Sequence, residues 1–225
     1  MRWLALLLLA GCPPAPVVDA GAPIRLMALG DSLVVGCHDK SRGPEDGAWR
    51  IIVQNRLVEA GIAYEMVGSL TRNCVGTALS RNHEGWGGET IVEITQRAAV
   101  ALDAFDPDVV VLVAGTNDRK RDVGPDVFRA EYAALFDLLA PRKVFVFTPP
   151  RVGLRGEPSW DDRVAGWNAQ LAVMRDAVRA EAAERDDVFL VDVCDVSTVS
   201  DAVHPDVSGH GRMGAALWKV MEPEL

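Results

Sequence analysis

The stretch D-V-V-V-L-V-A-G-T-N-D, residues 108–118, decides the fold of this chain. Its apolar run is short, rich in β-branched residues and closed by a glycine, which is typical of a buried strand. A strand that is apolar at successive positions has both faces covered, as strands of parallel sheets do. The polar residues Thr116, Asn117 and Asp118 follow where this strand ends.

Four further runs of the same kind flank this strand, two on each side. They are I-R-L-M-A-L (24–29), A-Y-E-M-V-G (63–68), K-V-F-V-F-T (143–148) and V-F-L-V-D-V (188–193). Helical patterns separate them or follow the last one, at 48–60, 89–105, 125–140, 161–184 and 206–220. The alternation predicts an α/β fold in which helices cover both faces of a five-stranded parallel sheet.

The composition fits one globular domain and argues against some partners. The chain has 225 residues, 49% of them hydrophobic and 24% charged, which is enough to bury a sizeable core. Its formal net charge is −9, and no block of Lys and Arg offers a track for phosphates. We therefore expect no nucleic acid as a partner, and nothing in the sequence demands more than a monomer.

The N-terminus resembles a targeting segment. Its apolar run from Trp3 to Gly11 is too short for a membrane span, which needs about 20 helical residues. L-A-G-C, residues 9–12, resembles a bacterial lipobox, which implies a lipidated Cys12 and a membrane tether outside the cytoplasm. The alternative is an ordinary signal peptide of a secreted protein, in which the cysteine occurs by chance. We predict a signal peptide at 1–11, a Pro/Ala-rich linker at 12–23 and one domain at 24–225.

Three further cysteines remain, and their spacing resembles no zinc site. Cys37 and Cys74 each follow a predicted strand end at the same edge of the sheet, so we expect them to pair in an oxidising compartment. Cys194 lies in an apolar run and is expected to be a buried thiol.

Polar residues follow four of the strands at the edge where parallel sheets bind ligands. The four segments are G-D-S-L (30–33), H-E-G-W-G-G-E-T (83–90), G-T-N-D (115–118) and D-A-V-H-P-D (201–206). Together they supply a serine, a glycine pair, an asparagine and a histidine with two nearby aspartates. This edge is therefore the predicted functional site.

These residue types suit acyl transfer. A serine hydroxyl attacks an ester only when a base takes its proton, so Ser32 is the candidate nucleophile and His204 the candidate base. Asp201 is placed to orient His204 from three residues earlier, on one helical turn. Asp206 suits this role less well, because it follows Pro205 at the start of a predicted helix, where it or Ser208 is expected to act as the cap.

The same reaction needs hydrogen-bond donors for an oxyanion. The candidates are the backbone N–H groups of Ser32 and Gly88 and the side-chain amide of Asn117. Glycine at position 88 allows the backbone to approach a substrate closely.

The four motifs, in this order and spacing, resemble those of the SGNH (GDSL-type) hydrolases. The resemblance covers about residues 24–220 and implies a flavodoxin-like three-layer fold with strand order 2-1-3-4-5 and no metal or organic cofactor. It makes Ser32 the nucleophile, His204 the base, Asp201 its orienter, and Ser32, Gly88 and Asn117 the oxyanion donors. Gly88 is preferred over Gly87 because E-G-W-G-G-E-T-I resembles the family's E-G-x-S-G-x-T-I, with Gly87 in place of the serine.

Each residue also has a structural interpretation. Ser32 could cap a helix, Gly88 could serve a turn and Asn117 could form an Asx-turn. Other polar and aromatic residues receive supporting or peripheral roles. We expect His38, His83 and His210 to be structural or solvated, Asp31 and Asp118 to bind loop amides, and Trp86, Arg151 and Trp160 to line the rim or pocket.

The sequence thus predicts an extracytoplasmic serine esterase. The motifs look most like the carbohydrate-esterase branch, which implies small acyl esters, acetyl above all, on a small-molecule or polysaccharide substrate. A lysophospholipase or broad acyl-ester hydrolase is the alternative enzyme. A non-catalytic binding lipoprotein is the alternative from another class.

Overall fold

The computed structural model describes residues 22–36, 48–71, 80–198 and 201–225. In these residues the strands are β1 (Ile24–Gly30), β2 (Tyr64–Val67), β3 (Glu84–Gly85), β4 (Val109–Val113), β5 (Lys143–Phe147) and β6 (Val188–Val191). The helices are α1 (Ser32–Val35), α2 (Trp49–Glu59), α3 (Ile91–Phe105), α4 (Pro125–Leu139), α5 (Pro158–Ala183) and α6 (Val207–Met221). Two 3-10 turns span Asn117–Lys120 and Glu222–Glu224.

The strands form one parallel sheet in the order β2-β1-β4-β5-β6. This confirms the α/β fold and the predicted order of the five main strands. The two-residue strand β3 was not predicted; it pairs with the last residues of β1, where Gly85 lies opposite Gly30. It extends the sheet at its carboxyl edge and positions the following residues there.

Two hydrophobic layers enclose the sheet, because successive side chains of each buried strand point to opposite faces. One layer packs α3, α4 and α5 against side chains such as Met27 and Val110. The other packs α1, α2 and α6 against side chains such as Ala28 and Val111. β4 is buried at all five positions, as its apolar sequence predicts.

Local signals in the sequence mark where the helices begin. Thr90 and Glu93 form a capping box at the start of α3. Proline is the first residue of both α4 and α5, where its missing N–H costs no helical hydrogen bond. Asp206 caps α6 by accepting a hydrogen bond from the Gly209 N–H, as one of the two expected caps.

The remaining predictions concern the N-terminal segment and the cysteines. The signal peptide, Cys12 and the Cys37–Cys74 pair lie outside the described residues. Cys194 is half-buried rather than buried, because β6 ends at Val191 and the thiol lies in the loop beyond it. Among the residues that the structure describes, no helix is both long enough and apolar enough to span a membrane.

Candidate active site

Ser32 follows the interior strand β1 through a sharp turn at Gly30. Gly30 has φ +147°, and a Cβ there would come 2.0 Å from the carbonyl oxygen of Val113. Glycine is therefore required where β1 passes so close to β4. The next residue, Asp31, caps α1 by accepting a hydrogen bond from the Leu33 N–H at 2.9 Å. Ser32 is thus fixed as the first residue of α1 at the carboxyl edge of the sheet.

The structure brings together the three side chains that the sequence analysis assigned to the acid–base chemistry. His204 Nε2 lies 2.9 Å from Ser32 Oγ, and His204 Nδ1 lies 2.5 Å from Asp201 Oδ2. The other oxygen, Asp201 Oδ1, accepts hydrogen bonds from the backbone N–H groups of Val203 and His204, each at 2.9 Å. One carboxylate therefore fixes both the imidazole and the backbone that carries it.

The segment from Asp201 to His204 is not the helical turn that was predicted. It is an irregular turn in which Ala202 has φ +59°, and the hydrogen bonds to Asp201 Oδ1 hold it in place. An aspartate side chain that accepts from an N–H two residues later forms an Asx-turn. The spacing of three residues was correct, but a side chain rather than a helix closes the turn.

Burial and charge set the protonation states of this pair. Burial lowers the pKa of His204, and the nearby Asp201 opposes this without reversing it. Burial alone would raise the pKa of Asp201, but the hydrogen bonds from His204 and Val203 outweigh it, so that pKa is lowered. Near neutral pH the pair thus consists of a neutral imidazole and an ionised carboxylate. A neutral Nε2 facing a hydroxyl can accept its proton.

The rival groups are engaged elsewhere. Asp206 Oδ1 accepts hydrogen bonds from Ser197 Oγ at 2.6 Å and from the Gly209 N–H at 2.7 Å. His210 is buried, and its Nδ1 accepts a hydrogen bond from the Trp49 N–H at 3.4 Å. His83 is also buried, with Nδ1 accepting from the Gly85 N–H at 3.0 Å. Both histidines are structural, which is one of the two expected roles; His38 lies outside the described residues.

The expected oxyanion donors other than the N–H of Ser32 lie on two loops, one of which passes beside the serine. A Cβ on Gly87 would come 3.9 Å from Ser32 Cβ, so this loop passes beside the serine. Gly88 follows with φ +89° and open space where a Cβ would stand. Asn117 Nδ2 donates to the carbonyl oxygen of Glu89 at 2.9 Å, which places the amide beside Gly88. A primary amide has a second N–H, which remains for a substrate.

Two buried aspartates support the loops that carry these donors, as expected. Asp31 holds the start of α1, as described above. Asp118 accepts hydrogen bonds from the Ile91 N–H at 3.1 Å and from Arg121 at 2.7 Å. It therefore ties the turn that contains Asn117 to the N-terminus of α3.

A cavity of about 280 Å³ opens beside Ser32. Its other lining residues are Val35, Leu70, His83, Gly85, Trp86 and Gly87. Trp86 is held by a hydrogen bond from its Nε1 to Glu84 at 3.2 Å and by the Arg97 guanidinium, 5.5 Å from its ring centroid. Trp86 was predicted as a rim residue; Val35 lies in the segment 34–47 that was expected to contribute to the pocket but was not singled out, and Leu70 was not predicted, because no motif marks it.

The other two predicted rim residues lie elsewhere around the site. Arg151 borders a separate cavity of about 530 Å³ that is lined by the loop after β5, the loop after β6 and helix α5. Trp160 lies under the guanidinium of Arg155, which the sequence analysis did not single out. Among the described residues, no group of His, Cys, Asp and Glu side chains is placed to hold a metal ion.

A family model matches most of the chain. Residues 28–212 match the model of the GDSL-like lipase/acylhydrolase family. No curated protein matches the chain.

The fold is similar to that of solved esterases. A carbohydrate esterase of family 3 from Talaromyces cellulolyticus is 20% identical, with a TM-score of 0.67 over 86% of this chain and 94% of that one. An aryl esterase from M. smegmatis is 19% identical and a carbohydrate acetylesterase from Sinorhizobium meliloti 17%; each has a TM-score of 0.70 over 90% of this chain and 100% of its own. At these identities the likeness establishes the fold.

Proposed function

The chain belongs to the GDSL-like lipase/acylhydrolase family and is a carboxylic ester hydrolase, and on this premise we propose that it removes small acyl groups, acetyl above all, from carbohydrate esters. In this proposal Ser32, His204 and Asp201 form a catalytic triad that works through an acyl-enzyme. The observation that carries the proposal is the chain of two hydrogen bonds from Ser32 Oγ through the imidazole to Asp201.

The first half-reaction begins at this chain. Ser32 Oγ attacks the ester carbonyl carbon while His204 Nε2 takes its proton. Asp201 keeps the Nδ1 proton in place and stabilises the imidazolium that forms. His204 then gives the proton to the departing alcohol, and the acyl group remains on Ser32.

The negative charge on the carbonyl oxygen is stabilised by fixed donors. These are the backbone N–H groups of Ser32 and Gly88 and the side chain of Asn117. Within the described residues neither N–H group has a protein acceptor, so both remain for the oxyanion. Donors that are already in position cost no reorganisation when charge develops, and removing one such donor typically costs a factor of about 10²–10³ in rate.

The second half-reaction reverses these roles with water as the nucleophile. His204 takes a proton from water, which attacks the acyl-enzyme, and returns the proton to Ser32 Oγ as the acid leaves. Every proton passes through the same Nε2. The lowered pKa of His204 suits this cycle, because the imidazole is neutral at its start.

The proposal also includes a substrate class and a cellular location. Two of the structural neighbours named above are a carbohydrate esterase and a carbohydrate acetylesterase, and the cavity beside Ser32 suits a small acyl group. The N-terminal segment supports a location outside the cytoplasm, in which Cys12 carries lipid and tethers the enzyme to a membrane, or in which the enzyme is secreted.

One observation favours a broader acyl specificity. A second groove of about 340 Å³ shares Trp86 with the cavity beside Ser32, and its surface is mostly apolar, with Val100, Ala101, Ala104 and Phe105 among its lining residues. A long acyl chain that passed Trp86 would find apolar surface there. A lysophospholipase or broad acyl-ester hydrolase is therefore the second candidate.

The test is the hydrolysis of p-nitrophenyl esters from acetyl to dodecanoyl, with Ser32→Ala as the blank. We expect activity confined to short chains and lost in the variant. A preference for long chains would favour the second candidate. Failure of an organophosphonate probe to label Ser32 in an otherwise folded protein would exclude the triad and leave a binding protein.

A further inference from the structure

Two arginines, one of which contacts the backbone of Asp201, share an unusual arrangement. The Arg155 guanidinium lies 3.4 Å from the ring centroid of Trp160, and its Nε donates to the carbonyl oxygen of Asp201 at 2.6 Å. The Arg163 guanidinium lies 4.8 Å from the ring centroid of Trp167, and its Nε donates to the carbonyl oxygen of Ser159 at 2.7 Å. In each case a ring and a backbone carbonyl fix the guanidinium plane.

These two pairs are neighbours. The rings of Trp160 and Trp167 are in edge contact, with centroids 4.7 Å apart. A third guanidinium, that of Arg119, also lies over Trp167, 5.4 Å from its centroid. Arg119 is buried, and its Nε has no hydrogen-bond partner. We call Arg119, Arg155 and Arg163 the arginine cluster.

No carboxylate of the described residues forms an ion pair with the arginine cluster, although Asp31 and Asp201 are near enough to raise the pKa of Arg119. Two other arginines show the contrast: Arg97 pairs with both Glu84 and Glu89, and Arg121 pairs with both Asp118 and Glu131. In a chain with a net charge of −9, a group of unpaired arginines is therefore a distinct local feature.

The charges within this group repel one another. Burial lowers the pKa of Arg119; the charges of Asp31 and Asp201 oppose this lowering, and the charge of Arg155 adds to it. Burial likewise lowers the pKa of the adjacent Lys120, with additional effects from Arg119, Arg163 and Arg155. Four cations thus act on a common region, where an anion would find a favourable potential.

The position of Arg155 relates the arginine cluster to the reaction. Arg155 binds the backbone of Asp201, the residue that orients His204. His204 must hand its proton to the departing alcohol, so the alcohol portion of the ester leaves on the side of the imidazole. None of its three arginines lines the cavity beside Ser32, so the arginine cluster is assigned to the alcohol side and not to the acyl side.

The terminal nitrogens of Arg155 and Arg163 complete the site. Their Nε atoms are used, while among the described residues their Nη atoms have no acceptor. An arginine in this state presents two parallel N–H donors, the geometry that binds a carboxylate or a phosphate in a bidentate manner. Arg155 is half-buried and Arg163 is exposed, so both can meet a ligand.

We propose that the arginine cluster recognises an anionic group, a carboxylate or a phosphate, on the alcohol portion of the ester. The inference rests on the proposed function, because it assigns the cluster to the alcohol side of that reaction. Arg155 and Arg163 bind the anion directly, and the buried Arg119 adds to the field from beneath. The preferred substrates are thus acylated acidic sugars and not neutral ones.

The experiment compares esters that differ only in charge. The full chain is assayed on acetylated methyl glucuronoside and on its methyl ester, and in a second pair on acetylated glucose 6-phosphate and acetylated glucose. We expect kcat/KM to favour the charged member of at least one pair by about tenfold, the factor that corresponds to one strong charge-assisted hydrogen bond. The pair with the larger ratio identifies carboxylate or phosphate as the anion.

Two variants test the residues. The double variant Arg155→Gln, Arg163→Gln should lose most of this preference, and added salt should reduce it in the wild type. Arg56→Gln removes the same charge from α2, on the opposite face of the sheet, and should leave the ratio as it was. Equal kcat/KM for both members of each pair, or a preference that survives the double substitution, overturns the proposal.

A binding measurement separates this proposal from the proposed function. Ser32→Ala is titrated with methyl glucuronoside, glucose 6-phosphate and methyl glucoside. Preferential binding of a charged sugar, lost in the arginine variants, supports the anion site even if the wild type hydrolyses none of the esters. Ester hydrolysis that requires Ser32 but shows no charge preference upholds the proposed function and rejects the anion site.

Discussion

His204 Nε2 lies 2.9 Å from Ser32 Oγ although 172 residues separate them along the chain. Ser32 follows the interior strand β1, whereas His204 lies in the long segment between the edge strand β6 and helix α6. That segment reaches back across the carboxyl edge of the sheet, and Asp201 fixes its last turn. Catalysis should therefore depend strongly on the residues that shape this turn.

The first prediction separates the two aspartates that flank His204. Asp201→Asn should reduce kcat on p-nitrophenyl acetate by a factor of about 10³–10⁴, because an amide no longer holds the imidazole in the correct tautomer. Asp206→Asn should leave kcat within about twofold, since asparagine caps a helix about as well as aspartate. Thermal unfolding of both variants provides the control for folding. The reverse order of the two effects would reassign the orienting carboxylate.

The second prediction concerns the pH dependence of kcat/KM. The reaction needs neutral His204, and burial lowers its pKa below the ordinary value of 6.5. Activity on p-nitrophenyl acetate should therefore rise with pH through a midpoint below 6.5 and then reach a plateau. The positive charge of Arg155 contributes to this lowering, so Arg155→Gln should move the midpoint upward, whereas Arg56→Gln should not. A wild-type midpoint above 6.5 would contradict the proposed environment of the imidazole.

The sequence predicted the elements whose signals are local. Strand β4 is a continuous apolar run, and helix α3 begins with the capping box of Thr90 and Glu93, so both could be located without the fold. Strand β3 has two residues, too few to show any period. The turn at Asp201 was expected to be helical, because a spacing of three residues is typical of a helical turn. The same spacing also occurs in an Asx-turn, and the sequence does not distinguish the two.

Contacts that depend on how loops pack could not be predicted from the sequence. Arg155 binds the backbone of Asp201 across 46 residues, and no motif links the two positions. Leu70 reaches the cavity beside Ser32 through an isolated bridge to His83. Both contacts follow from the geometry of loops at the carboxyl edge. The motifs could therefore indicate the reaction, but not the shape or charge of the pocket.

The third prediction concerns Asp31 and stability. Its side chain is fully buried, Oδ2 has no hydrogen-bond partner, and burial raises its pKa to about 7. The folded protein therefore binds a proton that the unfolded chain, with a pKa of 3.8 at this residue, releases. The contribution of this proton to the free energy of unfolding is complete below pH 3.8 and is lost as the pH rises through about 7.

Asp31→Asn removes that titration and keeps an acceptor for the Leu33 N–H. The free energy of unfolding of the wild type should thus fall relative to the variant between pH 5 and 7, and the difference should become constant above about 8. Urea unfolding at a series of pH values measures it. A difference that does not change over this range would show that Asp31 does not titrate there.

The fourth prediction concerns Trp86, which separates two apolar spaces. It lines the cavity of about 280 Å³ beside Ser32 and also the groove of about 340 Å³ that contains Val100. Trp86→Ala should join the two and let a longer acyl chain extend into the groove. Each CH₂ that is buried contributes about 0.8 kcal/mol, so two extra groups should raise the octanoyl-to-acetyl ratio of kcat/KM by about tenfold.

Two further variants make this test specific. Trp86→Phe keeps an aromatic wall and should retain the wild-type ratio. Val100→Ala removes apolar surface from the groove without opening the wall, so it should also leave the ratio unchanged when Trp86 is present. In the Trp86→Ala background, however, Val100→Ala should lower the ratio, because the longer chain then contacts position 100. If Trp86→Ala retains acetyl esterase activity but its octanoyl-to-acetyl ratio does not rise, the groove is not continuous with the acyl site, and the broad acyl-ester hydrolase loses its structural support.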